Sequence, residues 1–250
     1  KKRATGVTVL DAETNKTIEY KAKIIFVNAS TLNSTWLLMN SATDVWEGGL
    51  GSSSGALGKY LMDHHLGNRA GGTIEGYEDK YTFGRRANGF YIPRFRNING
   101  EKRDYIRGFG YQGSANRAGW GHDVAEVSIG GKFKDALTEP GGWSIGMMGF
   151  GEMLPDETNK VTLDKTKKDK WGLNVLNIDC ELKDNEIKMR KDILEDAKEM
   201  LERAGAKNVQ GYEGDGTPGR GIHEMGTARM GRDPKTSVLN GNNQVWDAPN

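Results

Sequence analysis

The sequence predicts an α+β fold in which an antiparallel sheet is backed by helices. Three observations predict it. Between residues 67 and 152, short apolar stretches are broken repeatedly at glycine or proline, as in a sheet of short antiparallel strands. One long helical repeat follows, over Asn185–Ala204. Glycine supplies 35 of the 250 residues, about twice its usual share. These glycines have no period and interleave with 6 Trp, 8 Tyr and 7 Phe, which reads as a folded chain with many tight turns or close backbone approaches.

Taken in order, Gly6–Leu10 and Thr17–Ala22 read as a hairpin around the polar turn Asp11–Lys16. Ile24–Val27 is a continuous apolar run, the pattern of a strand buried on both faces in a parallel sheet. A short helix begins between Ser30 and Ser34, with Ser30, Thr31 or Ser34 as cap and Leu32, Trp36, Leu37 and Met39 facing inward. Gly48–Gly58 is rich in glycine and serine but is embedded among Leu50, Leu57, Tyr60 and Leu61, so an ordered loop is expected. Strands are expected over Tyr105–Phe109, Ala125–Ile129, Trp143–Phe150, Asn159–Leu163 and Leu173–Ile178, with Asp164–Lys170 a charged turn. In Asn185–Ala204, Ile193, Leu194, Ala197, Met200, Leu201 and Ala204 form one apolar stripe. Asp184 or Asn185 would cap its start, and Gly205 falls just past its end.

The formal net charge of +1 argues against a nucleic-acid protein and against a polybasic membrane anchor. No apolar run approaches the roughly 20 residues of a membrane span. The single Cys180 excludes an internal disulfide and a cysteine-based zinc site. Of the four histidines, His64 and His65 are adjacent and His122 lies in a glycine-rich loop; none has the spacing of a metal site, so no metal is expected. His223 differs in its setting, Gly221-Ile222-His223-Glu224-Met225-Gly226-Thr227-Ala228-Arg229-Met230-Gly231. There, closely spaced glycines allow backbone to approach a ligand, and imidazole exchanges protons near neutral pH. The residues alone favour a structural histidine over a catalytic one, and the same holds for a solvated or ion-paired role of Asp63, Glu224 and Arg229. The sequons at Asn28 and Asn33 are chance matches on this reading.

The pattern H-x-x-G-T-x-x-M at His223, Gly226, Thr227 and Met230 resembles the C-terminal signature of the glucose–methanol–choline (GMC) oxidoreductases, FAD flavoproteins that oxidise alcohols and sugars. Other segments agree in order. Ala4–Val7 and Ala22–Ala29 resemble late strands of the family's FAD domain, and Leu32–Leu38 the helix that follows. Gly58, Leu61, Asp63 and His64 resemble its G-x-x-L-x-D-H loop. Asn159–Asp164 with Trp171–Leu173 resembles the end of its substrate domain, and Asp233–Val238 its gluconate and sugar dehydrogenase branch, with relatives of pyranose oxidase.

The resemblance implies FAD as cofactor, a small sugar or alcohol as substrate, and His223 as the catalytic base. It implies cofactor contacts from Asn28, Ala29, Ser30, Gly226 and Thr227, and substrate contacts from loops near Tyr81–Arg96. It divides the chain into a remnant of the FAD-binding α/β domain (1–66), a substrate-binding domain (67–210) and a return carrying the histidine loop (211–250). Three departures stand out. Ser30 and Thr35 replace the family's commoner glycine and proline. No G-x-G-x-x-G turn follows a strand, and the family's second catalytic histidine or asparagine would lie beyond Asn250. The chain is therefore expected to be a piece of a longer flavoenzyme, partnered by the segment it lacks and unable alone to retain FAD or oxidise alcohols. The alternative expectation is a stand-alone carbohydrate-binding module or a noncatalytic subunit.

Overall fold

A computed structural model describes residues 3–80, 89–119, 129–138 and 140–250. The chain is α+β, with antiparallel sheets and few helices, and it divides into two compact units. The first comprises residues 1–63, 154–181 and 222–250; the second comprises residues 64–153 and 182–221.

The second unit is a five-stranded antiparallel sheet covered by one long helix. Its strands are β3 (Arg69–Ile74), β4 (Gly89–Ile92), β5 (Phe109–Arg117), β6 (Trp143–Gly151) and β9 (Lys207–Tyr212), in the order β4-β5-β6-β3-β9. A short helix, α2 (Gly131–Ala136), precedes β6. The long helix α3 (Asp184–Arg203) packs on β3, β6 and β9. The register aligns Ala70 with Met147, Met147 with Gly113, Tyr111 with Gly149, and Phe109 with Gly151. Opposed residues share a face, so these side chains form one layer against Met189, Ile193, Ala197 and Leu201 of α3. A Cβ at Gly149 would lie 2.4 Å from Cγ2 of Ile193. Part of the glycine excess therefore lets the helix settle directly on the sheet backbone.

The α3 stripe lies where its periodicity put it, and Gly205 follows its last turn. Its start differs from expectation. The cap position is Lys183, whose amide donates to the Glu186 carboxylate at 3.0 Å, so an acidic side chain in the first turn does the work expected of Asp184 or Asn185. The helix also buries charge. Arg190 donates to Leu66 O, to Asn68 Oδ1 and to Gly214 O, each at 2.7 Å. Asp196 pairs with Arg96 at 2.7 Å and accepts from the Tyr111 hydroxyl at 3.1 Å. Burial raises the pKa of that carboxyl despite the guanidinium beside it.

The first unit contains the hairpin β1 (Gly6–Leu10) and β2 (Thr17–Lys21), the helix α1 (Ser30–Asn40), and the pair β7 (Lys160–Lys168) and β8 (Asn174–Asp179). Its core is small: Met39, Leu61 and Val161, flanked by Leu32, Leu57, Leu163, Leu176 and Cys180. The loop 48–58 is ordered. The Asp247 carboxylate accepts from the amides of Gly51 (3.0 Å) and Ser53 (3.3 Å) and from the Ser53 hydroxyl.

Several expectations are corrected. Ile24–Val27 forms no strand, and Ile24 and Phe26 are 63% and 80% exposed. No strand among the described residues pairs with this run; the Ile25 amide instead donates to Asn250 O at 2.7 Å. Hydrophobicity alone reported a surface that wants burial and said nothing of what buries it. Residues 104–107 form a bend and the strand starts at Phe109; within the bend, the Tyr105 hydroxyl donates to Asp192 of α3. Asp164–Lys168 continues β7 instead of turning. The register jumps from Leu163↔Leu176 to Lys168↔Asn174, and the bulge is held by the Asp164 carboxylate on the amides of Thr166 and Lys167, both at 2.8 Å. These amides hold the Asp164 carboxyl down at about 2. Strand β9 was not expected, since only Val209 among its residues turns an apolar side chain to the core. Residues 125–128 of the expected strand Ala125–Ile129, residues 81–88 of the expected substrate loop and His122 lie outside the described residues.

Candidate active-site loop

In the first unit, two segments far apart in sequence run side by side. The Met62 and Met225 backbones exchange amide–carbonyl hydrogen bonds, both at 2.9 Å. The Thr227 amide donates to Lys59 O at 3.0 Å, and the Gly58 amide to Thr227 O at 2.6 Å. On its other side, Gly58–Leu61 is tied to the start of β7: Val161 N to Gly58 O (2.7 Å) and Leu61 N to Asn159 O (2.9 Å). The segment 58–63 is thus a middle rung between β7 and the histidine loop.

His223 is exposed, but its backbone is fixed: its amide donates to Oδ1 of Asp63 at 3.1 Å, and Asp63 is buried. Gly226 adopts φ +90°, and a Cβ there would lie 1.9 Å from the Tyr60 carbonyl oxygen. No other residue fits this turn. Thr227, also left-handed at φ 52°, is 0% exposed. Its hydroxyl lies 2.7 Å from that of Thr35, which is equally buried in α1. One turn earlier, Thr31 donates its hydroxyl to Glu224 O. After the loop, the Arg229 guanidinium lies 3.8 Å from the centre of the Tyr60 ring and donates to Thr236 O.

The expected cofactor residues fall around this arrangement. Asn28, Ala29 and Ser30 form an exposed turn into α1, whose first turn no side chain caps; the Ser34 hydroxyl accepts from the Ala29 amide at 3.2 Å. Thr31 and Thr35 bring that helix to Glu224 and Thr227. Thr227 has its amide, carbonyl and hydroxyl all engaged by protein groups, so it shapes the turn from inside. Asp63, named only for its place in a motif, proves to be the backbone anchor of His223. The roles of Thr31 and Thr35 are not legible locally, because α1 also carries Ser30, Asn33, Ser34 and Asn40 and their partners lie in the distant histidine loop.

His64 and His65 belong to the second unit. His65 is buried, with Nε2 3.3 Å from Sδ of Met189. Burial, then the charge of Arg190 and His64, lowers its pKa to about 3, so it stays neutral. Among the described residues no group of histidine, cysteine and carboxylate side chains is arranged to hold a metal, and no helix is long and apolar enough to cross a membrane.

Comparison with known proteins points the same way. Residues 155–250 match the model of the GMC oxidoreductases. The matched segment contains β7, β8, α3, β9 and the whole His223 loop. The full chain aligns with curated dehydrogenases. It is 34% identical over 257 residues to 2-methyl-1,2-propanediol dehydrogenase of Mycolicibacterium austroafricanum, covering 99% of this chain and 45% of that protein. It is 25% identical over 273 residues to the gluconate 2-dehydrogenase flavoprotein of Pantoea cypripedii, covering 100% and 42%. It is 23% identical over 242 residues to the fructose dehydrogenase large subunit of Gluconobacter japonicus, covering 96% and 43%. The chain therefore spans less than half the length of these relatives.

Proposed function

We propose that the chain is the substrate-side and catalytic-loop portion of an FAD-dependent dehydrogenase that oxidises the CH–OH group of a small polyol or sugar, with His223 as base. The docking of His223–Thr227 along Gly58–Asp63 carries this reading. It sets an exposed histidine on a backbone fixed by Asp63, Met62, Lys59 and Thr35. Fixed placement is what a general base requires, because proton transfer depends on hydrogen-bond reach to the reacting hydroxyl.

The neighbouring residues suit a flavin. The Asn28–Ser30 turn is exposed at the positive end of α1, whose first-turn amides no side chain caps, so that end suits an electron-rich ligand edge. Asn28, Ala29, Ser30 and Gly226 would hold FAD there, with Thr227 supporting the turn from behind. When bound, FAD supplies the acceptor for the hydride that leaves the substrate carbon. His223 takes the hydroxyl proton at an imidazole nitrogen as the C–O bond becomes a carbonyl. Asp63 keeps the His223 backbone in place during that transfer.

On this reading the activity belongs to a longer chain. Its further FAD-binding segment would cover the exposed apolar residues Val9, Ile18, Tyr20, Ile24 and Phe26. Two measurements test the proposal. The purified 250-residue chain, mixed with FAD and desalted, should hold no stoichiometric flavin. In the full-length enzyme, anaerobic mixing with a panel of alcohols and sugars should bleach the flavin for at least one of them. Stoichiometric flavin on the short chain, or no bleaching by any compound, contradicts it.

A further inference from the structure

We propose that Thr35 is a positioning residue for the His223 loop, acting through its hydroxyl contact with Thr227; this rests on the reading of His223 as the base. Thr35 stands where the resemblance leads one to expect proline, so the contact exists in this chain because of that departure. Both hydroxyls are fully buried, 2.7 Å apart, and each is the side-chain partner of the other across 192 residues of sequence.

The pair sets a distance. Two oxygens sharing a hydrogen bond approach to 2.7 Å here, whereas two methyl groups in the same places rest at about 3.5–4.0 Å. Replacing the Thr35 hydroxyl by a methyl puts that methyl against the Thr227 oxygen, a contact that rests at about 3.5 Å, and so moves the loop away from α1 by somewhat under an ångström. It also strands the Thr227 hydroxyl without a partner in a dry site. The left-handed Thr227 is four residues from His223, and its amide and carbonyl belong to the same ladder with Gly58–Met62 that carries Met225. A shift at Thr227 is therefore carried along that ladder toward His223. Misplacement of about an ångström at a catalytic group can cost on the order of a hundredfold in rate.

Three measurements on Thr35→Val and Thr35→Ser test this. In the 250-residue chain, hydrogen exchange at the Met225 and Thr227 amides should speed up by about tenfold or more in Thr35→Val and return to within about twofold in Thr35→Ser. In the FAD-loaded full-length enzyme, Thr35→Val should lower the rate of flavin reduction by about tenfold or more with KM little changed, and Thr35→Ser should restore it. In a His223→Ala background, Thr35→Val should add no further loss. Unchanged loop exchange in Thr35→Val, a reduction rate within about twofold of the parent, a serine variant as slow as the valine variant, or an equal loss with and without His223 each overturns the proposal. Should Thr35→Val fail to fold, the serine variant and Thr35→Ala carry the same comparison. A near-normal rate in His223→Ala alone would remove the base assignment itself, and that outcome is read independently of every Thr35 variant.

Discussion

The two units bury their apolar surface in opposite ways. In the second, α3 lies on the sheet and encloses Phe109, Tyr111, Met147, Met189, Ile193 and Leu201 in one continuous core. In the first, the buried cluster is the small set Met39, Leu61 and Val161, while Val9, Ile18, Tyr20, Ile24 and Phe26 face solvent. What orders the first unit is a lattice of backbone hydrogen bonds through Gly58–Asp63, together with buried polar anchors such as Asp63, Thr35, Thr227 and Asp247. Unit two is held by an apolar core. Unit one holds a loop in register through its backbone and leaves those five apolar side chains exposed.

The largest expected effect sharpens this contrast in the second unit. Ile193→Ala removes the side chain that sits on Gly149 and should cost about 2–5 kcal/mol, read as lost protection of α3 amides in hydrogen exchange. A cost below about 1 kcal/mol would mean the helix–sheet core is not what holds this unit. In the first unit the equivalent weak point is a backbone site. Gly226→Ala meets both the Tyr60 carbonyl and a left-handed φ, and should cost more than about 2 kcal/mol with selective loss of protection at Met225 and Thr227.

Acid separates the units next. His65 has its pKa lowered to about 3 from 6.5, so the folded second unit holds it neutral while the unfolded chain takes up a proton below pH 6.5. Its neutral form is therefore fully compatible with folding above pH 6.5. Stability falls at up to about 1.4 kcal/mol per pH unit between 6.5 and 3. Denaturant titrations across that range should show a shallower pH slope in His65→Gln than in the parent, and equal slopes would contradict the assignment.

The smallest effect concerns the exposed face. In the 250-residue chain Phe26→Ser should change stability by less than about 0.5 kcal/mol, because Phe26 is 80% exposed. In the full-length protein the same change should cost about 1.5–3 kcal/mol if a further segment buries it. Equal small costs in both would leave that face without a partner.

Sequence made parts of each unit legible for different reasons. The α3 stripe and the β1–β2 hairpin follow local periodicity, and local periodicity is what the eye can read. The β7 bulge escaped notice because Asp164 looks the same in a turn and in a bulge; only the β8 partner distinguishes them. Strand β9 escaped because an edge strand with one inward valine carries almost no apolar pattern. An apolar run such as Ile24–Val27 reads as buried because composition carries no information on what packs against it. At the site, His223, Gly226 and Thr227 were legible through one short motif. Asp63 and Thr35 had no local signal for their roles, since their partners lie 160 and 192 residues away.

The most direct test of the account is His223→Ala in the FAD-loaded full-length enzyme, read as the rate of flavin reduction by its best alcohol or sugar. The account predicts a fall of about a hundredfold or more, in keeping with the loss of a positioned general base, with flavin content unchanged. A rate within a few-fold of the parent would contradict it.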